Sequence, residues 1–373
     1  MTALVGLVVN PVAGVGGAVG LKGSDGETTQ RRAHRLGAVP RAGERAALAL
    51  AELAARHPEE LRLLTADGPM GAEAALVAGF RPQLVHRPGR RTSAWDTTAT
   101  VRALRRAGVR LLLFAGGDGT ARDVLAAEPG CPVIGVPTGV KMHSAVFAVH
   151  PRAAGETAAA HLSSGLPVHP REVVDLDEEA LRRGRLGARL HGHLPVPELP
   201  LRIQQRKTGA TTPDPAALGG IAAELRTFLP PGELLVLGPG STTHQVAAAL
   251  GAETTLLGVD LLRREGAGLQ PLATDLGERE LLDRLAGRSA WLALSPTGGQ
   301  GFLLGRGNQQ LSPAVLRSAG RSRLLVLATE AKLAALRGRP LHLDTGDPAL
   351  DAELSGHHQV ITGFRRRALY PAY

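Results

Sequence analysis

Over the first 140 residues, short unbroken apolar runs alternate with longer stretches whose apolar positions recur every three or four residues. "LVGLVVN", "LRLLTAD", "RLLLFAG" and "PVIGVP" read as buried strands, while "AGERAALALAELAARHPE", "MGAEAALVAGF", "TSAWDTTATVRALRRAG" and "DGTARDVLAAE" read as amphipathic helices. This alternation predicts an α/β domain with a parallel sheet and helices on its faces. Ligands of such sheets sit at the carboxyl ends of the strands. Every glycine-rich turn in this region follows a strand, so the turns are expected on one rim.

Near residue 165 the period shortens. "REVVDLDEEALRRGRLGARLHGHLPVP" alternates over short runs around a glycine-containing middle, the pattern of a hairpin that opens a second domain. "ELLVLGPGSTTHQVAAALG" and "TTLLGVDLL" then repeat strand, turn, helix and strand, and "RKTGATTPDPAALGG" reads as a flexible loop. The expected division is a nucleotide-phosphate-binding domain over 1–160, a mixed β-rich substrate-binding domain over 161–350, and a carboxyl-terminal tail over 351–373 that returns to the first domain.

Charge and composition narrow the function. A net charge of +9 with a pI near 10.7 suits anionic ligands. Only four of the 43 basic residues are lysines (Lys22, Lys141, Lys207 and Lys332), an arginine excess that reads as codon bias. With 3% aromatic residues the chain has few platforms for stacking bases, so nucleic acid is not the expected partner. The single Cys131 fits a reducing compartment. "MTALVGLVVNP" reads as a strand rather than a signal peptide, and no apolar run reaches the length of a membrane span. A cytoplasmic protein with no membrane partner is expected.

Three turns carry the candidate chemistry. In "NPVAGVGGAVGLKGSDG", Asn10 closes the first strand and Gly14, Gly16 and Gly17 let backbone N–H groups converge on phosphate, with Lys22 adding a point charge. In "GGDGTARDV", Gly116, Gly117 and Gly119 bring the backbone close to a ligand and Thr120 caps or contacts phosphate at a helix start. Asp118 lies beside that anion site. A carboxylate there serves phosphoryl transfer by taking the proton of an acceptor hydroxyl or by helping to hold Mg2+. In "VIGVPTGVKMHSAVFA", Thr138 and Gly139 turn the chain, and Lys141, His143 and Ser144 are expected in the first turn of a new helix, with Lys141 and Ser144 directed at phosphate.

These three ordered signatures resemble those of the NAD kinase and diacylglycerol kinase superfamily. "GGDGTARDV", "PTGVKMHSAVFA", "TLLGVDLL" and "GGQGFLLGRGNQQLSP" are most similar to its ATP-NAD kinase or AcoX-type group, over nearly the whole chain. The resemblance implies an amino-terminal three-layer α/β domain, a β-rich second domain and an active site in the cleft between them. It implies ATP or polyphosphate as donor with Mg2+, NAD as acceptor through the adenosine 2′-hydroxyl, and a homo-oligomer. Asp118 inherits the role of base, Asn10 and its neighbouring glycines phosphate binding, and Asp123 that of a second carboxylate. Where typical NAD kinases carry an Asn-Glu or Asn-Asp pair for the nucleotide, this chain has Asp175, Asp177, Glu178 and Glu179.

Three later motifs are candidates for acceptor recognition. They are Gly240, Ser241, Thr242 and Thr243 at a helix start, Gln300, Arg306, Asn308 and Gln309 (with Gln310) in a glycine-rich loop, and Asp344 and Asp347 at a turn. A helix cap, a polar loop and an Asx-turn are the structural alternatives for the three. The function expected is a small-molecule kinase acting on NAD. A kinase of a sugar, polyol or acetoin-related metabolite, or a non-catalytic nucleotide-binding accessory protein, are the alternatives.

Overall fold

The apolar runs of the first 140 residues assemble into one parallel sheet. The computed structural model describes residues 3–21, 23, 26–57, 61–140, 142–176, 188–204 and 214–373. They divide into one unit of Met1–Val15 with Val39–Arg206 and another of Gly16–Ala38 with Lys207–Tyr373.

In chain order the amino-terminal elements are β1 (Ala3–Val9), α1 (Glu27–Arg35), α2 (Ala42–Arg56), β2 (Leu61–Ala66), α3 (Ala72–Val77) and β3 (Gln83–His86). Next come α4 (Ala94–Arg106), β4 (Leu111–Gly116), α5 (Asp118–Ala126), β5 (Val133–Pro137), α6 (Pro151–Ser164), β6 (Val168–Leu176) and β7 (Ala188–Pro197). The sheet order is β3-β2-β1-β4-β5, all parallel. From β1 the chain first winds outward to β2 and β3, then returns to β4 on the other side of β1. Right-handed crossovers therefore put α2 and α3 on one face and α4 and α5 on the other, giving three layers. α2 packs on α6, and α4 on α5.

β4 is buried along its whole length, which is why "LLLFAG" carries no polar side chain. Phe114 of β4 meets Phe147 edge to face at 5.4 Å, and both are fully buried. Each such ring contributes about 1.5–3 kcal/mol by leaving water.

The hairpin β6–β7 forms as the alternation predicts, but it belongs to the first unit. It packs against α5 and β5, and Gly192 of β7 lies against Leu125 of α5. The apolar face of the hairpin finds its partner there, so the first unit runs on past residue 160.

The second unit contains α7 (Pro215–Phe228), β8 (Leu234–Leu237), α8 (Ser241–Ala249), β9 (Asp260–Glu265), β10 (Gly268–Ala273), α9 (Glu278–Leu285) and β11 (Ala290–Leu294). It continues through α10 (Pro313–Ala319), β12 (Leu324–Leu327), α11 (Glu330–Ala334), α12 (Pro348–Leu354), β13 (Gly356–Gly363) and β14 (Arg366–Ala372). Its mixed sheet has the order β10-β9-β8-β11-β12-β13-β14, with β8, β11, β12 and β13 parallel and antiparallel strands at both edges. Separate apolar cores are built around Leu292 and Val326 and around Leu235 and Leu327.

Two expectations change here. The tail over 351–373 does not return to the first unit but supplies β13 and β14 of this sheet. The predicted loop over 206–220 lies outside the described residues only up to 213; from Pro215 it is helix, because Asp214 caps α7 and Pro215 occupies its first position.

Candidate active site

β1 and β4 are neighbours at the point where the winding of the first sheet reverses, so their carboxyl ends leave a crevice between diverging loops. Asn10 follows β1 and bridges that point. Its N–H donates to Ala115 O of β4 at 2.9 Å, and its side-chain Nδ2 donates to Thr120 Oγ1 at 3.0 Å. Asn10 Oδ1 accepts from Val12 N at 3.3 Å, starting the turn into the glycine loop.

Three loops meet backbone to backbone. Gly14 has φ +77°, and a Cβ there would lie 1.8 Å from Thr138 O. A Cβ on Gly117 would lie 3.3 Å from Gly139 Cα, and Thr138 N donates to Gly116 O at 3.0 Å. The residue types read from the sequence are thus demanded by contact between the turns. Thr138 Oγ1 is buried among them and has no hydrogen-bond partner among the described residues. A buried hydroxyl in that state is costly unless a ligand satisfies it.

α5 begins at Asp118 without a side-chain cap, leaving first-turn N–H groups for an anion. Asp118 is only 6% exposed. Its Oδ1 accepts from Ser144 Oγ at 2.6 Å and Ser144 N at 3.0 Å, and its Oδ2 from His143 N at 2.7 Å. Burial pushes this carboxyl up to about 6; the bonds from Ser144 and His143 pull the other way, and the nearby Asp175 adds to the rise. A carboxylate offers about four lone-pair sites, so three of them are taken and Oδ2 keeps one. The result is a strengthened base with one directed acceptor site.

Residues 142–146 do not form the expected helix. They run irregularly into isolated bridges of Gly135 with Phe147 and of Ala148 with Ile203, and the next helix starts at Pro151. The Asp118 carboxylate captures two successive N–H groups, those of His143 and Ser144, and so fixes the chain in another conformation. Ser144 is fully buried behind Asp118 rather than turned to phosphate. Thr120 is also buried, with its Oγ1 accepting from Asn10. Asp123 lies half-buried on α5. Lys22, Lys141, Asp177 and Glu178 lie outside the described residues, as does Glu179. Asp175 pairs with Arg122 of α5 at 3.2 Å.

The glycine loop is divided between the units. Gly14 belongs to the first, whereas Gly16 and Gly17 belong to the second, where Gly17 lies against the Gln309 side chain.

Several second-unit candidates are used internally. Arg306 and Asp344 form a buried ion pair at 2.8 Å, with the guanidinium 4.2 Å from the Phe302 ring centroid. Asn308 accepts from Gly305 N and donates to Leu303 O, holding its own loop, and Gln309 donates to Gly305 O. Gln300 is buried. Asp347 caps α12 and pairs with Arg317, which holds its carboxyl below the usual range.

Gly240 precedes α8, Ser241 begins it, and Thr243 Oγ1 turns back to Gly240 O. Thr242 leads to a feature absent from the sequence reading. Lys332 Nζ donates to Thr242 Oγ1 at 3.0 Å and to Ser295 Oγ at 2.8 Å, tying together the ends of β8, β11 and β12. The scarcity of lysine was its one signal: a compact ammonium fits between two hydroxyls where a guanidinium fork does not.

Mg2+ is held in proteins by one or two carboxylates together with substrate phosphates. Asp118 has most of its lone pairs engaged by N–H and O–H donors, and the described residues contain no group of three or more His, Cys, Asp and Glu side chains that could hold an ion. The described residues complete no such site by themselves, so a Mg2+ held here would take further ligands from substrate phosphates. No helix among them is long and apolar enough to cross a membrane.

Comparison with known proteins gives two family matches. Residues 5–165 match the ATP-NAD kinase N-terminal domain and residues 232–372 the ATP-NAD kinase C-terminal domain, together most of the chain. No curated protein matches. Among solved structures, YcaC from Pseudomonas aeruginosa with hexane-2,5-diol and covalent acrylamide is 23% identical over 43% of this chain and 73% of that one, with a TM-score of 0.22. That likeness carries no argument about fold or function.

Proposed function

This chain belongs to the NAD kinase-like superfamily, and from that premise we propose that it transfers a phosphoryl group from ATP to a hydroxyl of NAD, giving NADP. The observation that carries the reading is Asp118. It is a buried carboxylate with one acceptor site left on Oδ2, at the winding reversal of a parallel sheet, in a strand-end turn whose Gly116 O accepts from the N–H of Thr138, a residue with an unsatisfied hydroxyl. A base of this kind suits phosphoryl transfer to an alcohol near neutral pH, because it is ionised there yet stronger than an ordinary aspartate.

In the proposed reaction the acceptor O–H bond breaks as its oxygen bonds to the γ-phosphorus, and the bond from that phosphorus to the ADP oxygen breaks. The proton goes to Asp118 Oδ2. Free N–H groups at the start of α5 and the Thr138 hydroxyl face the phosphoryl oxygens. The loops around Asn10 and Gly14 orient the donor. Mg2+ enters as part of the MgATP substrate, and polyphosphate is the alternative donor.

The test is turnover of purified protein with MgATP or polyphosphate, using NAD, NADH and a panel of hydroxylated metabolites, beside Asp118→Asn. NADP formation that falls by about 10²-fold or more in the variant is expected. Phosphorylation of another acceptor alone overturns the NAD assignment. Unchanged turnover in the variant overturns the role of Asp118.

A further inference from the structure

Ser144 carries more connections than a core serine needs. It lies fully buried in the segment after β5, and four hydrogen bonds converge on its hydroxyl and N–H. Its N–H donates to Asp118 Oδ1 at 3.0 Å. Its Oγ lies 2.6 Å from Asp118 Oδ1 and 2.9 Å from Val174 O, and it accepts from Val174 N at 3.0 Å. Gln204 Nε2 donates to Ser144 O at 2.6 Å and holds the backbone in place.

A serine hydroxyl has one proton and two lone pairs. Val174 N–H takes one lone pair, so two acceptors, Asp118 Oδ1 and Val174 O, compete for one proton. The 2.6 Å separation is that of a hydroxyl donating to an ionised carboxylate, where such bonds are about twice as strong as neutral ones. While Asp118 is charged, the proton belongs to Oδ1. Once Oδ2 has been protonated, Oδ1 is an ordinary neutral acceptor and Val174 O competes on similar terms.

We infer that Ser144 is a positioning residue for Asp118, a hydroxyl rotor that donates to the carboxylate before proton transfer and turns to the β6 backbone afterwards. The inference rests on the reading of Asp118 as the base. The rotor needs no atom to travel, only rotation of one O–H bond, and it makes the β6–β7 hairpin part of the catalytic apparatus. Among the described residues the charged group bearing on Asp118 is Asp175, on β6, which is itself bonded to Arg122 of α5. The contacts to Asp118 from the 143–144 segment are two backbone N–H groups and the Ser144 hydroxyl.

The test follows the Asp118 carboxyl carbon by NMR titration of the nucleotide-free protein, with the resonance assigned by its loss in Asp118→Asn. Ser144→Ala removes the donor to the charged form, so the inflection is expected to rise by at least about one pH unit, a tenfold gain in proton affinity. Ser144→Cys keeps a weak donor in nearly the same volume and is expected to fall between the two, which also covers a failure of the alanine variant to fold. In turnover assays the acid limb should move with the carboxyl, whereas a merely structural defect would lower the rate at every pH and leave the limb in place. An unchanged inflection in folded variants overturns the inference. The titration needs no substrate, so absence of NADP formation would count against the NAD kinase reading alone.

Discussion

Asp118→Asn should change how the stability of the first unit depends on pH. Asp118 titrates at about 6 in the folded protein, raised from 3.8. Between those values the folded state binds the proton more tightly than the unfolded state does. Unfolding therefore releases a proton, and stability falls as pH rises through the window. The penalty is absent below about pH 4 and complete above about pH 6, where two units correspond to about 3 kcal/mol. About 2 kcal/mol of it develops between pH 4.5 and 7.5. Asparagine does not titrate, so the stability of the variant minus that of the native chain should climb by this amount over the same range. A constant offset from altered hydrogen bonds does not affect that slope.

The chain has two tryptophans, Trp95 on α4 of the first unit and Trp291 on β11 of the second. In a Trp291→Phe background, urea unfolding followed by Trp95 fluorescence reports on the first unit. Parallel pH profiles, or a difference that shrinks as pH rises, would refute the reasoning.

Two further substitutions test how the loops and the second core are held. Gly14→Ala puts a methyl group 1.8 Å from Thr138 O at φ +77°; the conformational cost alone is about 1–2 kcal/mol, and a lower melting temperature with at least tenfold weaker nucleotide binding by calorimetry is expected. Arg306→Met leaves the Asp344 carboxylate buried without its guanidinium, which should cost about 3–5 kcal/mol; urea unfolding followed by Trp291 checks it, and Arg306→Met with Asp344→Leu should recover much of the loss.

The strands of the first sheet were legible because burial on both faces leaves an unbroken apolar run, as in "LLLF" of β4. Asp118 stood out as a candidate because it is a carboxylate among glycines at a strand end, though its hold on the 143–144 segment did not show in the sequence. The segment around Ser144 was not legible, since its conformation is imposed by an acceptor 26 positions away. The hairpin could be seen in the alternation of its residues, but its partner, Leu125, could not. Lys332 meets Thr242 and Ser295 across separations of 90 and 37 residues, a relation that no local period records.

The allocation of Gly16–Ala38 to the second unit has a consequence for synthesis. Ala18 O accepts its hydrogen bond from Glu278 N, and Gly17 rests on Gln309. A ribosome adding roughly 10 residues per second delivers those partners on the order of tens of seconds after the segment itself has emerged. The nascent first unit must therefore fold while looping out a piece of chain that has nowhere yet to go. Severing the polypeptide after Arg206 would leave that piece on the wrong half, so the amino-terminal half would be born with a part belonging to the other and the carboxyl-terminal half would be born without it.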